Sequence, residues 1–305
     1  MPLPRHECLP PFPSMRVAGP RPRREIARCS LSSKEPAMQQ KTVVLITGVS
    51  SGIGRVAAAL FAARGCIVYG TVRNRANATP LPNVELVEMD VRDAASIKRV
   101  VDGIVEHSGR LDVLVNNAGV NLMGAVEETS VEEAAALLDT NVLGILRTIQ
   151  AVAPHMRANR AGRIVNVSSV LGFLPAPYMG VYAASKHAVE GLSESLDHEL
   201  RQFGIRVTLV EPAYTKTSLG SNSPVAQIPI AEYDRERAVV SRAVTGHLDN
   251  APEPQDVAST VVDAALGTWR MRRTPPGQAS LLSKLRRFLP ASAVDGSLRK
   301  QLGLG

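Results

Sequence analysis

From Thr42 onward the chain alternates short β-branched runs with longer stretches whose apolar residues recur at spacings of three and four, and few architectures accept that rhythm. The β-branched runs fall at 42–47, 66–71, 84–88, 112–116, 163–168 and 205–210, and the helical stretches at 52–63, 94–107, 131–157 and 181–202. Parallel strands need a crossover, and a helix supplies it. The pattern therefore predicts an α/β chain with a doubly wound parallel sheet, helices on both faces, in a single domain. Ligands of such sheets bind outside the carboxyl ends of the strands, where the strand order reverses. Residues just after strands are the ones to read for chemistry.

The rest of the chain divides around that core. Residues 1–40 are rich in Pro and Arg and read as a disordered tail; Met38, just before the first strand, would serve as a start as well as Met1. The domain spans 41–270, with a polar, Ser- and Pro-rich segment at 220–250 expected to form a mobile lid containing a helix near 231–247. A helix is predicted at 254–267. A seventh strand within 270–277 is doubtful because of Pro275 and Pro276. Residues 271–305 form a basic amphipathic extension, expected to pack nearby, on a partner subunit or peripherally on a membrane.

The net charge of +7 does not point to nucleic acid, because residues 1–40 carry +4, residues 270–305 carry +7, and the middle carries −4. Aromatic residues make up only 4% of the chain, too few for a stacking surface. No apolar run reaches the length of a transmembrane helix. The three cysteines, Cys8, Cys29 and Cys66, suit neither a disulfide framework nor a metal site, so no metal is expected, and a reducing cytoplasmic location is.

Two constellations carry chemistry. The first strand runs into Thr47-Gly48-Val49-Ser50-Ser51-Gly52-Ile53-Gly54 and then a helix. Glycines let backbone turn tightly beside a pyrophosphate, and the first free N–H groups of the helix favour the anion. The same residues spell the nucleophile elbow of an esterase around Ser50, but only one strand precedes it, and His155, His187, His198 and His247 lie in helical or polar stretches. In the second constellation, Tyr182 and Lys186 share a helix face, so the ammonium should draw the phenol below its usual pKa of about 10 and make it a usable acid or base. Ser168 and Ser169 end a strand at the same sheet edge.

Taken together, Thr47 to Gly54, Asn116-Asn117-Ala118-Gly119 and Tyr182 to Lys186 resemble the short-chain dehydrogenase/reductase family over about Thr42 to Leu266. The resemblance implies a Rossmann fold and an oxidoreductase in which Tyr182 exchanges a proton while a nicotinamide exchanges a hydride. It makes Asn141, Ser169, Tyr182 and Lys186 the catalytic set, with Ser169 orienting the substrate carbonyl and Asn141 holding a relay water. It assigns the cofactor to Gly48, Ser50, Ser51, Gly52, Ile53 and Gly54, to Asp90 and Val91 at the adenine, and to Asn117, Ala118 and Gly119 along its length. Tyr182 and Lys186 also meet the cofactor, and Pro212, Thr215 and Thr217 stand in an altered form of the family's P-G-x-V-x-T, with Ala213 for Gly.

After the second strand, Thr71 stands where an NAD-selective acid is expected, and Arg73, two residues on, can pair with a 2′-phosphate; both point to NADP rather than NAD. Leu171, Phe173, Leu174, Pro175, Tyr178, Met179 and Val181 predict a greasy wall for a bulky apolar alcohol or ketone, and residues 181–196 most resemble the 17β-hydroxysteroid and retinol dehydrogenase branch. Helices 131–157 and 181–202 are the expected faces of a homodimer or homotetramer by the same resemblance. The complete catalytic set argues against a non-catalytic NADP-binding sensor.

Overall fold

The computed structural model describes residues 40–221, 225–288 and 290–304; apart from Gln40, the predicted N-terminal tail lies outside the described residues. One seven-stranded sheet organises the domain: β1 (Val43–Ile46), β2 (Ile67–Val72), β3 (Val84–Glu88), β4 (Val113–Asn116), β5 (Gly162–Val167), β6 (Ile205–Val210) and β7 (Arg272–Arg273). The spatial order is β3-β2-β1-β4-β5-β6-β7, and every pairing is parallel. The chain winds outward from β1 in one direction and from β4 in the other, so the crevice between these two strands is the switch point where a ligand fits. The seventh strand does form: its two residues pair with Leu209 and Val210 and end before Pro275, so the prolines limit its length without abolishing it.

The central strands read as unbroken apolar runs because both faces are covered. Val43 and Leu45 face a core with Ile97, Ile149 and Val189, whereas Val44 and Ile46 face a core with Phe61, Ala58 and Val261. α2 (Ala94–Ser108), α4 (Gly144–Ala158) and α5 (Gly180–Leu200) contribute to the first core, and α1 (Gly52–Ala63) and α8 (Gln255–Leu266) to the second. α2 is delimited by chemistry: the Asp93 side chain accepts from the Ala95 N–H, and Gly109 closes the helix at φ +71°.

Between α4 and α5 the first core encloses a polar ladder. The Thr148 hydroxyl donates to Asn116 Oδ1 (2.7 Å), Asn116 Nδ2 to Asn166 Oδ1 (2.9 Å), and Asn166 Nδ2 to Ser193 Oγ (2.8 Å). All four residues are buried, so each satisfied link fixes α4, β4, β5 and α5 in one register.

The helix expected over 131–157 is interrupted. α3 (Val131–Leu138) ends in a π-helical turn at Asp139–Leu143 before α4 begins, and that turn holds Asn141. The remaining helices are α6 (Ser218–Ser221), α7 (Asp234–Asp249) within the predicted lid, and α9 (Gln278–Phe288) and α10 (Ala291–Gln301), which divide the C-terminal extension in two. Among the described residues no helix is long and apolar enough to cross a membrane.

Candidate active site

The glycine turn shows why its residues are what they are. Gly48 and Gly52 adopt φ +73° and +60°, which side chains other than glycine rarely tolerate. Gly54 serves a different end: a Cβ there would stand 2.3 Å from Asn117 Nδ2 and 2.4 Å from the Gly48 carbonyl oxygen. It lets α1 lie against the loop after β4 and does not itself line the cavity described below. That loop is sewn to the turn, because the Thr47 hydroxyl accepts from the Asn117 and Ala118 N–H groups (3.0 and 2.9 Å), and Asn117 Nδ2 donates to the Thr47 and Gly48 carbonyls (3.0 and 2.8 Å). Ser51, at the start of α1, makes no side-chain cap, which leaves the first-turn N–H groups to an anion. A backbone turn without room for side chains and rich in free donors fits a dinucleotide pyrophosphate.

A single cavity of about 690 Å³ runs past this turn. One end is bounded by Arg73, Asp90, Val91 and Arg92. Arg92, which the sequence did not single out, grips Asp90 through Nε and Nη2 (2.7 Å for the latter), and this hydrogen bonding holds the Asp90 carboxyl below the usual carboxylate range. Thr71 is nearly enclosed, 2% exposed, and its hydroxyl accepts from the Gly48 N–H at 3.2 Å. It supports the glycine turn and also lines the cavity, where the acid of an NAD-selective site is expected.

Ser169, Tyr182 and Lys186 meet along the middle of the cavity, all buried, where Ser50, Ser51, Gly52, Ile53, Asn117, Ala118, Gly119, Pro212, Thr215 and Thr217 also contribute to its wall. Thr217 packs on Gly52, whose Cβ would stand 3.1 Å from it, and the Thr215 hydroxyl donates to the Ala213 carbonyl (3.0 Å). Lys186 Nζ donates to the Val167 carbonyl (3.0 Å) and lies 5.6 Å from the centre of the Tyr182 ring. Burial pushes the Tyr182 phenol up to about 12, against the pull of its hydrogen bond with Ser169, and burial brings the Lys186 ammonium down to about 8. The expected lowering of the phenol by the lysine is thus reversed in this structure, because desolvation penalises both charged forms more than their neighbourhood rewards them.

Asn141 lies behind the wall. The π-helical turn sends its amide onto Val120, accepting from the N–H (2.8 Å) and donating to the carbonyl (2.9 Å), with a further bond to Ser185 Oγ (3.2 Å). Both of its N–H donors are engaged with protein atoms, so its side chain holds the loop that follows Gly119.

The far end of the cavity is largely apolar, with His247, Gln278 and Gln301 among its polar members. Of the seven residues expected there, Leu171, Leu174 and Met179 contribute, while Phe173, Pro175, Tyr178 and Val181 do not. The missing wall comes from sequence-distant residues: Leu122 after β4, Val244, His247 and Leu248 of α7, and Leu282, Leu298 and Leu302 of the C-terminal extension. Apart from Leu122, these residues lie in the expected lid at 220–250 and in the amphipathic C-terminal extension, but the sequence does not single out the individual side chains as wall residues. Among the described residues no esterase triad assembles around Ser50: His187 hydrogen-bonds the Ala183 carbonyl and His247 stacks on Tyr214 at 5.1 Å. Among the described residues no cluster of metal ligands occurs.

Known proteins carry the same pattern. The family profile for short chain dehydrogenases matches residues 42–227. A 3-ketodihydrosphingosine reductase of Bacteroides thetaiotaomicron is 40% identical over 189 residues, 62% of this chain and 70% of that protein. The human 17-beta-hydroxysteroid dehydrogenase type 1 is 36% identical over 244 residues, 73% of this chain and 74% of that one. Among solved structures, a Burkholderia phymatum short chain dehydrogenase/reductase in complex with NAD superposes with a TM-score of 0.68 at 28% identity, covering 85% of this chain and 95% of that one. ElxO with NADP bound superposes at 0.64 and 29% identity, covering 77% and 96%. With its sheet order, its glycine turn and its Ser-Tyr-Lys wall in one cavity, the chain belongs to the short-chain dehydrogenase/reductase family of oxidoreductases, which work with a nicotinamide dinucleotide.

Proposed function

We propose that this protein transfers a hydride between NADP(H) and a bulky apolar alcohol or ketone, with a steroid-, retinoid- or lipid-like skeleton. The observation that carries this reading is the character of the cavity beside the glycine turn: guanidinium groups at one end, Ser169 and Tyr182 midway, and chiefly leucine, valine and methionine at the other end. A ketone whose carbonyl reaches Ser169 and Tyr182 must send its skeleton into the apolar end, where burial of each methylene contributes about 0.8 kcal/mol. Two relatives named for a long-chain keto base and a steroid support the same substrate class.

The nicotinamide, when bound, supplies or accepts the hydride. In the reducing direction Tyr182 Oη would give its proton to the substrate's carbonyl oxygen. Ser169 donates a hydrogen bond to the same oxygen and so favours the developing charge. Lys186, beside the phenol, stabilises the phenolate that remains until it is reprotonated. Asn117 and Thr47 keep the two loops of the cradle in register, and Arg73 with Arg92 presents positive charge where a 2′-phosphate would lie.

The test is a panel of ketones, aldehydes and alcohols followed by NADPH absorbance, with Tyr182→Phe as the blank. Tyr182→Phe is expected to lower turnover by at least about 100-fold while folding and cofactor binding persist. Near wild-type turnover in that variant would overturn the mechanism. Ser50→Ala should leave reduction largely intact.

A further inference from the structure

α5 places Tyr182, Lys186 and Glu190 at successive four-residue intervals on its buried face, 7%, 6% and 5% exposed. Arg272 of β7 reaches Glu190 from the other side, donating Nη1 to Glu190 Oε2 and to Glu211 Oε1 (2.5 Å), and Nη2 to Glu194 Oε1 (2.7 Å). Glu211 directly follows β6 and is 2% exposed. Arg273, the next residue of β7, turns away to the Thr268 carbonyl. Three carboxylates therefore meet one guanidinium, and the cluster carries excess negative charge inside the protein.

The cluster adjoins the reacting groups. Glu190 Oε1 has no hydrogen-bond partner, and neither has Ser168 Oγ, which lies on the cavity wall next to Ser169. Both atoms converge on Gly172, where a Cβ would stand 2.8 Å from Ser168 Oγ and 2.9 Å from Glu190 Oε1. Only a glycine leaves this space open. Lys186, one turn before Glu190, is held by the Val167 carbonyl at the end of the same strand that delivers Ser168.

We propose that Glu190 is a positioning residue for the reaction: its buried carboxylate, fixed by Arg272 one helical turn behind Lys186, keeps that lysine charged beside Tyr182. This rests on the hydride-transfer reading above. A buried ammonium loses its hydration, and an opposite charge nearby restores the charged form. Burial already brings Lys186 down to about 8, and Glu190 opposes that fall. Glu211 is a weaker partner at neutral pH, since burial and the neighbouring Glu190 charge push its carboxyl up to about 7, against the pull of Arg272. Glu194 is half-exposed and screened. Glu190 remains as the buried counter-charge on the lysine's own helix face.

Ketone reduction needs Tyr182 protonated beside charged Lys186, so the rate falls as pH rises and the pair gives up its first proton. Glu190→Gln removes a negative charge that retains that proton. Its falling limb should move to lower pH by about one unit, with the low-pH plateau within about threefold of wild type. Glu190→Asp keeps the charge and should stay near the wild-type limb, as should Glu194→Gln. A folded Glu190→Gln protein with an unmoved limb overturns the proposal, because a merely structural role would lower the plateau or the melting temperature without shifting the limb. Carbon-13 NMR of glutamate-labelled wild type, assigned with Glu190→Asp, needs neither turnover nor a folded Gln variant. Glu190 ionised at plateau pH is the expected result, and a neutral Glu190 there overturns the proposal. A wild type that reduces no ketone defeats the hydride-transfer reading instead, and the carbon-13 titration separates the two failures.

Discussion

Tyr182 and Lys186 are separated by one helical turn, yet their distance in sequence conveys only half of their chemistry. Spacing places the pair on one face; burial then sets the phenol at about 12 and the ammonium at about 8. The same contrast applies at the cofactor end. Arg73 is exposed on the cavity wall beside Arg92, so Arg73→Ala is expected to weaken NADPH binding by about 1.5 to 3 kcal/mol, roughly 10- to 150-fold, with NADH little changed. Arg92→Ala should have the smaller effect, because Asp90 already shares that guanidinium. Fluorescence titration at fixed salt checks both, and equal NADPH affinity in wild type and Arg73→Ala would refute the NADP reading of that arginine. Thr71 lines the cavity, so Thr71→Asp should swing the preference toward NADH, because a carboxylate there would repel a 2′-phosphate. The glycine turn, Ser169 and the Tyr-Lys pair were legible because each is a local motif bound to a strand end. Arg92 was not, since nothing local distinguishes it from a solvated arginine, and the reason for Gly54 appears only when Asn117 comes from another loop to fill the space above it.

Elements carry the site through contacts that periodicity does not encode. The segment before α7 is fastened to the stretch after β4 by carboxylates: Glu128 accepts from the Ala125 and Ile230 N–H groups (both 2.9 Å) and pairs with Arg237, Glu133 accepts from the Gln227 N–H (3.1 Å), and Glu127 from the Tyr233 hydroxyl (2.7 Å). Glu128 is 1% exposed, and Glu128→Ala leaves the Ala125 and Ile230 N–H groups unpaired and Arg237 with Asp234 alone, so it should cost about 1 to 3 kcal/mol in denaturant unfolding. It should also raise KM for an apolar ketone, because α7 supplies Val244 and Leu248 to the cavity. An unchanged KM would detach α7 from substrate binding. A second latch joins α5 to β6. Burial alone would raise the Asp197 carboxyl, but Arg206, the Val207 N–H and Arg201 outweigh it and hold the group below its usual range. The folded value lies below the unfolded one of about 3.9, so the stabilisation is present above that pH and is lost as pH falls through the folded value. Asp197→Asn should therefore flatten the acid limb of a stability–pH curve; an unaltered limb would show that Asp197 contributes little. Strand and helix positions were legible from β-branched runs and apolar spacing, whereas the π-helical turn at Asp139–Leu143 was not, since its sequence continues the helical pattern on either side.

At the scale of the whole molecule, the sheet order follows from the βαβ rhythm, but the substrate end of the cavity does not. Leu171 and Leu302 lie far apart in the chain and share a wall only after the C-terminal helices have packed, so no window of sequence reveals their meeting. What remains unburied defines the last expectation, that the protein is a homodimer. Leu138, Leu143 and Leu146 are 36%, 43% and 36% exposed along the end of α3, the π-helical turn and α4. On α5 the exposed positions Ala184, Ala188, Gly191 and Ser195 follow spacings of four, three and four, which makes one stripe of small residues. Small residues let a second helix approach closely, and a two-fold axis would set this face on its own copy, so that one surface serves both partners. The interface would bury these leucines, none of which lines the cavity, although Leu137, Thr140, Tyr182 and Lys186 of the same elements do. Ala188→Glu places two like charges at such an axis and should yield monomers, measured by light scattering at micromolar concentration, with the melting temperature then independent of protein concentration. Wild-type protein that scatters as a monomer under the same conditions would show that these helix faces are simply solvated.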